Sequence, residues 1–283
     1  MKIISYSTAL YSTWIYIEDY NLLFDAGDGL SSGLNKTLGK IKNVFISHAD
    51  RDHLSGLLQF NQMDSIHSNP NIYYPKDCAS FYRLNSFVKK FDPHVKNKDW
   101  VGINDLDIIE IKPNVFVKSY LNMHRFELNK IKSFSFKVIE RKKKLKKEYD
   151  GLTGNELKNL KDSGIEISNV LENSVIGYSG DTKSFMTELW EDTEILIHES
   201  TFLNYNDSSR KNHTNLEEVL DKSSELKLKG LVLSHFSSMY SNSEIVYNVK
   251  RLVKKNNIKF PVYLVLPGIT NYNVLNNSIN KNG

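Results

Sequence analysis

The sequence has little cysteine and no long apolar run. A single cysteine, Cys78, excludes an internal disulfide and is typical of a protein in a reducing compartment. No segment approaches the ~18 uninterrupted apolar residues that a membrane helix requires. The opening residues MKIISYSTALYSTWIYI carry one lysine, polar interruptions and no A-x-A-like end, so we expect no signal peptide. These absences predict a cytoplasmic protein without a membrane partner.

The remaining composition is that of an ordinary globular enzyme. Hydrophobic residues make up 40% and charged residues 25% of the 283 residues, which is enough to bury a large core. The net charge is +4, from 37 Lys and Arg against 33 Asp and Glu, which is compatible with a polyanionic substrate without requiring one. No linker or internal repeat divides the chain. We therefore expect a single domain over residues 1–283.

Short apolar segments that end in polar residues alternate with segments of helical periodicity. The strand-like segments are TWIYI, NLLFDAGDG, KNVFISH, SVIGYSGDT, TEILIHEST, LKGLVLSHFS and FPVYLVLPG. Helical periodicity appears in HLSGLLQFNQM, NLEEVLDKSSELK and NSEIVYNVKRLVKKN. This alternation predicts a layered α/β fold whose functional site lies at the strand ends.

One segment is dense in charge and poor in large apolar residues. Residues 137–172 include ERKKKLKKEYDGLTGNELKNLKDSGIE, which predicts one or two exposed helical turns projecting as a basic arm. Its basic run consists of Arg141, Lys142, Lys143, Lys144, Lys146 and Lys147. On charge alone, such a run is typical of a solvated helix face.

Imidazole and carboxylate groups are concentrated in HADRDH, directly after the strand-like KNVFIS. His48 and Asp50 are two positions apart, so on an extended segment they point to the same side. Asp52 and His53 follow where the chain turns into a helix, and they are placed to face a neighbouring site. A hydrolytic metal pair needs about six or seven such ligands from several loops. The candidates are His48, Asp50, Asp52, His53, His124, Asp181 and His235.

The alternative for this cluster is a solvated loop with incidental charges. His124 taken alone could be an ordinary interface histidine. His67 and His94 lie in polar surroundings, and we expect both to be exposed.

The motifs resemble those of a known superfamily. SHADRDH resembles the H-x-H-x-D-H signature of the metallo-β-lactamase fold, with Asp50 in place of the middle histidine. FDAGDG and YSGDT fit the same superfamily, while LIHESTF, NHTN and LSHFSSMY resemble blocks of its ribonuclease Z branch, in a short bacterial form. The resemblance implies an αββα sandwich, in which two mixed sheets are flanked by helices.

The resemblance also implies roles for individual residues. One divalent ion would be held by His48, Asp50, His124 and Asp181, and a second by Asp52, His53, Asp181 and His235. Zn²⁺ is the first expectation, with Mn²⁺ or iron as alternatives because Asp50 replaces a nitrogen ligand by a hard oxygen ligand. Catalytic roles fall to Asp52, which would orient or deprotonate the attacking water, and to His213 with Glu199, which would protonate the leaving oxygen.

Asp25 in FDAGDG has two interpretations. It could accept a hydrogen bond from a ligand histidine, with His48 the expected partner, or it could cap backbone amides in a turn.

The chain departs from the ribonuclease Z pattern at several positions. Met239 stands where the branch usually has arginine, and the segment between His124 and Asp181 has no proline where relatives carry a Gly-Pro-containing arm that grips tRNA. At the position of that arm, the basic run from Arg141 to Lys147 could instead contact phosphates in a sequence-independent, salt-sensitive way.

Three functions follow from these patterns. The first is an endoribonuclease that removes the 3′ trailer of precursor tRNA by attack of a metal-activated water. The second is a cyclic-nucleotide or small-nucleotide phosphodiesterase on the same fold, since fold does not determine substrate. The third is an RNA-binding relative whose catalysis is impaired by Asp50. The resemblance further implies a homodimer.

Overall fold

Two mixed β-sheets pack face to face. The computed structural model describes residues 1–64, 69–95, 100–124, 132–209 and 212–280. In both sheets the order of the strands along the chain is also their order across the sheet. The first sheet contains β1 (Ile3–Thr8), β2 (Ser12–Ile17), β3 (Leu22–Phe24), β4 (Asn43–Phe45), β5 (Asn71–Pro75) and β6 (Val101–Ile103). The second contains β7 (Ile108–Lys112), β8 (Val115–Leu121), β9 (Phe134–Leu145), β10 (Ser168–Tyr178), β11 (Thr193–Glu199), β12 (Gly230–Ser234) and β13 (Val262–Leu264).

Each sheet combines antiparallel and parallel pairs. Strands β1 to β3 are antiparallel, whereas β3 to β6 are parallel. Strands β7 to β10 are antiparallel, whereas β10 to β13 are parallel. The parallel strands run the same way, so their carboxyl ends meet at one edge of each sheet.

Helices cover both outer faces of the paired sheets. The α-helices of the described residues are α1 (Leu30–Leu34), α2 (Arg51–Leu54), α3 (Leu57–Asp64), α4 (Ala79–Phe91), α5 (Gly154–Asp162), α6 (Thr187–Trp190), α7 (Leu216–Ser223) and α8 (Asn242–Lys255), of which α5 does not lie on either sheet. Residues of α1, α3 and α4 pack on the first sheet, and residues of α6, α7 and α8 pack on the second. The four layers confirm the predicted αββα sandwich.

Side-chain periodicity explains why these strands are buried on both faces. In β11, Leu196 packs toward the helices, while Ile195 and Ile197 face the other sheet. In β12, Leu231 packs toward the helices and Val232 faces the other sheet. Successive side chains of a strand point to opposite faces, so a strand between two layers must be apolar throughout.

Helix α8 shows the corresponding pattern for a helix. Its buried residues are Ile245, Val249, Leu252 and Val253, at the spacing that places side chains on one face. Ser241 begins the helix by accepting a hydrogen bond from the backbone N–H of Glu244. The strands and helices predicted between Ser174 and Gly268 are confirmed. The single domain over residues 1–283 stays a prediction.

The basic arm matches the prediction of helical turns in part. A 3₁₀ turn at Lys147–Tyr149 and helix α5 have no buried residues, so they are the predicted exposed helical turns. Arg141 to Lys144, however, lie on β9, which pairs with β10 from the buried Phe136–Tyr178 end to the Leu145–Ser168 end. The expectation of a helix was wrong for these four residues because backbone pairing with β10 extends the buried strand outward, regardless of the low strand propensity of lysine.

A close backbone approach fixes the helix that carries two of the candidate ligands. A Cβ on Gly56 would lie 2.1 Å from the carbonyl oxygen of Gly27 and 2.9 Å from that of Ala26. The N–H of Gly56 donates to the Ala26 carbonyl at 2.9 Å. Only glycine fits here, so the turn after α2 is held against the loop that follows β3.

The substitution Gly56→Ala should therefore destabilise the fold. We expect the free energy of unfolding to fall by about 1–3 kcal/mol, because the added methyl group meets backbone rather than a movable side chain. Urea unfolding measures this. The matched control is Gly154→Ala on α5, where a Cβ would meet nothing within 4 Å. Equal stability of the two variants would contradict the close approach.

Candidate metal centre

The predicted ligands converge at one edge of the sandwich. His48 follows β4 of the first sheet, whereas Asp181 follows β10 and His235 follows β12 of the second. Asp52 and His53 lie on α2, and both are buried. Residues from strand ends of both sheets therefore face one another across the edge, as expected of loops on a rigid scaffold.

The first group of side chains consists of His48, Asp50, His124 and Asp181. His48 Nε2 lies 3.6 Å from Asp181 Oδ2 and 3.7 Å from Asp50 Oδ2. His124 Nε2 lies 3.7 Å from Asp50 Oδ2 and 3.9 Å from Asp181 Oδ2. These separations are too long for hydrogen bonds, yet they suit atoms that share one ion at about 2.0–2.2 Å each.

The second group consists of Asp52, His53, Asp181 and His235. His53 Nε2 lies 3.4 Å from Asp181 Oδ2 and 3.6 Å from Asp52 Oδ2. His235 Nε2 lies 3.4 Å from both of these oxygens and 3.3 Å from His53 Nε2. Asp181 Oδ2 thus belongs to both groups, in the position of a bridging ligand.

The donor atoms are arranged to bind a metal rather than to form hydrogen bonds with one another. His48 Nε2 and His124 Nε2 are buried and, within the described part of the chain, have no hydrogen-bond partner. Burying a polar atom without a partner is unfavourable unless something else satisfies it. Burial also lowers the pKa of His48, which favours the neutral imidazole that a metal requires.

A buried carboxylate orients the histidines of the first sheet. Asp25 Oδ2 accepts from His53 Nδ1 at 2.8 Å, from the Ser47 hydroxyl at 2.8 Å and from the Tyr178 hydroxyl at 2.5 Å. Asp25 Oδ1 accepts from the Ser47 backbone N–H at 2.7 Å. Asp25 therefore fills both of its predicted roles, capping an amide and holding a histidine. The histidine is His53, however, because Ser47 stands between Asp25 and His48 Nδ1.

The histidines of the second sheet are oriented by other groups. His124 Nδ1 donates to the Asn212 carbonyl at 2.6 Å. The Thr201 hydroxyl donates to Glu199 Oε2 at 2.6 Å and lies 2.8 Å from His235 Nδ1. Because a hydroxyl has one hydrogen, Thr201 must accept the N–H of His235. Both contacts place the ring protons on Nδ1 and leave Nε2 for a metal.

His213 lies beside the two groups, paired with Glu199 as predicted. Its Nδ1 is 3.2 Å from Glu199 Oε1 and 3.8 Å from Asp181 Oδ2. Burial alone would lower the pKa of His213, but the charges of Glu199 and Asp181 outweigh it and raise the pKa to about 9. The two carboxylates thereby favour the protonated form of His213.

Asp52 is held as a carboxylate. Burial would raise its pKa, but the neighbouring imidazoles of His235 and His53 outweigh burial and lower the pKa to about 2. Asp52 Oδ2 also accepts the backbone N–H of Leu10 at 2.9 Å. The turn between β1 and β2 therefore touches the centre directly.

A cavity of about 640 Å³ opens onto both groups. Its lining includes Asp50, Asp52, His124, Asp181, His213 and His235, together with Ala9, Leu10, Thr201, Phe202, Asn206, Asp207, Asn212, Ser237 and Met239. No lysine or arginine is among these lining residues, and the six basic residues of the arm do not reach the cavity. Its volume lies within the range typical of small-molecule sites.

Several contributors to this centre carry no distinctive sequence signal. Thr201 is the last residue of the motif HEST, which does not by itself indicate a contact with His235. The roles of Asn212, Leu10 and Tyr178 depend on contacts between distant parts of the chain. The predicted exposure of His94 is confirmed. His67 lies outside the described residues.

Comparison with known proteins identifies the family. The profile of the anti-Pycsar protein Apyc1 family matches residues 6–258. The chain belongs to the Apyc1 family. With the His and Asp cluster and the four-layer fold, this Apyc1 family member is a metal-dependent hydrolase of the metallo-β-lactamase fold.

Ribonuclease Z proteins are also relatives of this Apyc1 family member. The chain is 31% identical to tRNase Z TRZ1 of Arabidopsis thaliana over 214 residues, which cover 71% of this chain and 75% of that protein. The structure of human tRNase Z, short form, has a TM-score of 0.59 at 20% identity and covers 85% of this chain and 94% of its own. The structure of the metallo-β-lactamase fold protein YhfI of Bacillus subtilis has a TM-score of 0.63 at 14% identity. The match covers 95% of this chain and 99% of the YhfI chain.

Among the described helices, none combines the length and the apolar character needed to span a membrane.

Thr201 provides a test of how the second group is oriented. We expect Thr201→Val to weaken metal binding by about 10- to 100-fold, because His235 Nδ1 loses its partner and Glu199 Oε2 keeps only the backbone N–H of residue 201. Thr201→Ser keeps the hydroxyl and should bind metal like the wild type. Competition with a chromophoric chelator measures both affinities. Equal affinities of the valine and serine variants would show that the hydroxyl does not orient His235.

Proposed function

We propose that the protein is a phosphodiesterase that hydrolyses cyclic mononucleotides. The observation that carries this proposal is the match of the Apyc1 family over residues 6–258, since that family degrades cyclic nucleotides. Of the three functions inferred from the sequence, this is the second. It is better supported than the removal of tRNA trailers.

The cavity supports a small substrate. Its volume of about 640 Å³ suits a mononucleotide. Met239 lines the cavity at the position where the ribonuclease Z pattern has arginine.

The arm offers limited charge for tRNA. Arg141 Nε pairs with Glu172 at 2.8 Å, and Lys142 Nζ pairs with Glu140 at 3.0 Å. The Arg141 guanidinium also lies over the ring of Phe116, 4.1 Å from its centre. Two of the six basic groups are thus already engaged within the hairpin.

Precursor tRNA remains the second candidate because of one specific observation. The 31% identity to tRNase Z TRZ1 extends over 71% of this chain. One fold can serve either substrate, so this relationship keeps the endoribonuclease as the alternative. The choice between them depends on what the cavity and arm admit.

The mechanism follows from the roles of the chain's own residues. Two divalent ions in the two ligand groups would bind the phosphate oxygens and lower the pKa of a water molecule. Asp52 stays ionised and orients the attacking water as one P–O ester bond of the cyclic phosphate breaks. His213 supplies the proton to the leaving oxygen, while Glu199 fixes its Nδ1 and leaves Nε2 for the transfer.

Asp50 completes a first ligand group that has one more carboxylate than the usual pattern. Because oxygen is the harder ligand, we expect wild-type protein to bind two divalent ions and to accept Mn²⁺ more readily than the Asp50→His variant does. Metal analysis after reconstitution with Zn²⁺ or Mn²⁺ measures this. Wild-type protein with one ion or none, under conditions that load Asp50→His with two, would contradict an intact pair.

A substrate panel tests the proposed function. Metal-loaded protein is incubated with 3′,5′-cyclic mononucleotides, a tRNA with a 3′ extension, and bis(p-nitrophenyl) phosphate. We expect hydrolysis of the cyclic mononucleotides and of the synthetic diester, without tRNA cleavage. Cleavage of the tRNA alone would select the endoribonuclease. Binding of tRNA with no hydrolysis of any substrate would select the impaired relative.

Arm variants sharpen the panel. Lys143, Lys144 and Lys147 are exposed, so changing all three to glutamine should leave the hydrolysis of cyclic mononucleotides unchanged. The matched control is the same change at Lys250, Lys254 and Lys255 of α8. Loss of tRNA cleavage in the arm variant alone would show that the arm binds RNA.

The homodimer implied by the resemblance also stays a prediction, which light scattering tests.

A further inference from the structure

We propose that the apolar side chains of Leu10 and Met239 form the surface against which the nucleobase of the substrate packs. This inference rests on the proposed function and names the part of the cavity that distinguishes a nucleotide from a simple phosphate ester. We call the two side chains the apolar lip.

Leu10 occupies a backbone conformation that a leucine rarely adopts. It lies in the turn between β1 and β2 with a φ of +68°, in the left-handed region where glycine or asparagine is favoured. Its side chain is nevertheless large, apolar and 81% exposed. A strained residue with an exposed apolar side chain contributes little to folding, and such residues cluster at binding sites.

The turn is fixed in place by backbone hydrogen bonds. The Leu10 N–H donates to Asp52 Oδ2 at 2.9 Å, the Ala9 N–H to the Phe236 carbonyl at 3.2 Å and the Tyr11 N–H to the Thr8 carbonyl at 3.0 Å. The first of these contacts joins Leu10 directly to a carboxylate of the second ligand group. Leu10 therefore lines the same cavity as that group.

The lining of the cavity includes both polar and apolar side chains. Carboxylates and imidazoles form its metal-facing part, while Ala9, Leu10, Phe202 and Met239 supply apolar surface. Met239 is 65% exposed, so the apolar lip presents two large side chains to solvent at the mouth. Within a nucleotide, the base is the large flat group with little charge. It is the group that gains most from leaving water against such a surface.

The test compares binding with and without a base. In Leu10→Gly and in Met239→Ala, we expect KM for a cyclic mononucleotide, and the inhibition constant of a nucleoside 5′-monophosphate, to rise by about tenfold. The inhibition constant of ribose 5-phosphate, which has no base, should not change. The melting temperature of Leu10→Gly should be equal or higher, because glycine relieves the strained φ.

The chain offers a matched control. Leu106 also has a positive φ, of +64°, and is 56% exposed, but it does not line the cavity. Leu106→Gly should relieve the same kind of strain and leave every kinetic constant unchanged.

The outcomes separate the possible failures. If wild-type protein hydrolyses no cyclic mononucleotide, the proposed function fails. If it does and the lip variants keep wild-type constants, the apolar lip does not contact the base. Equal losses for the nucleotide and for ribose 5-phosphate would show general damage to the centre. Loss of a dimer in light scattering, with unchanged inhibition constants, would make the lip a contact between copies of the chain.

Discussion

The buried carboxylate of Asp25 joins the two sheets to the metal centre. It has no exposure to solvent, and its four donor contacts come from Ser47 (twice), His53 and Tyr178. Ser47 follows β4 of the first sheet, His53 lies on α2, and Tyr178 ends β10 of the second sheet. A buried charge is tolerated only when hydrogen bonds replace its water, so these elements must meet around Asp25.

Beneath this carboxylate, aromatic packing sets the distance between the sheets. The ring of Phe24 stacks on Phe136 at 5.6 Å and on Tyr178 at 5.0 Å, between centres. The Tyr178 ring therefore belongs to the core, while its hydroxyl belongs to the network around Asp25. Packing and metal-site geometry are coupled through this one side chain, since a shift of the ring would move the hydrogen bond to Asp25.

Much of this architecture follows from the sequence, and the limits have identifiable causes. Strands with apolar residues on both faces, such as β11 and β12, can be predicted from their apolar composition. The HADRDH cluster is dense enough to indicate a metal. Asp181 and His235 could be assigned only by resemblance, because nothing local shows which strand ends meet. For Asp25 the expected partner was His48, whereas the structure shows His53. The choice between these two histidines depends on a side-chain contact through Ser47, which the sequence does not reveal. The basic run on β9 was predicted as helix because the pairing with β10 is non-local.

The ligand groups draw on both halves of the sandwich, and this bears on the order of assembly. His48, Asp50, Asp52 and His53 follow β4 of the first sheet, whereas His124, Asp181 and His235 follow strands of the second. Each of the two predicted ligand groups draws on both sheets, and Asp181 belongs to both groups. Full affinity for such ions would therefore require the two sheets to be docked. Bound ions would in turn stabilise the docked arrangement by their binding free energy.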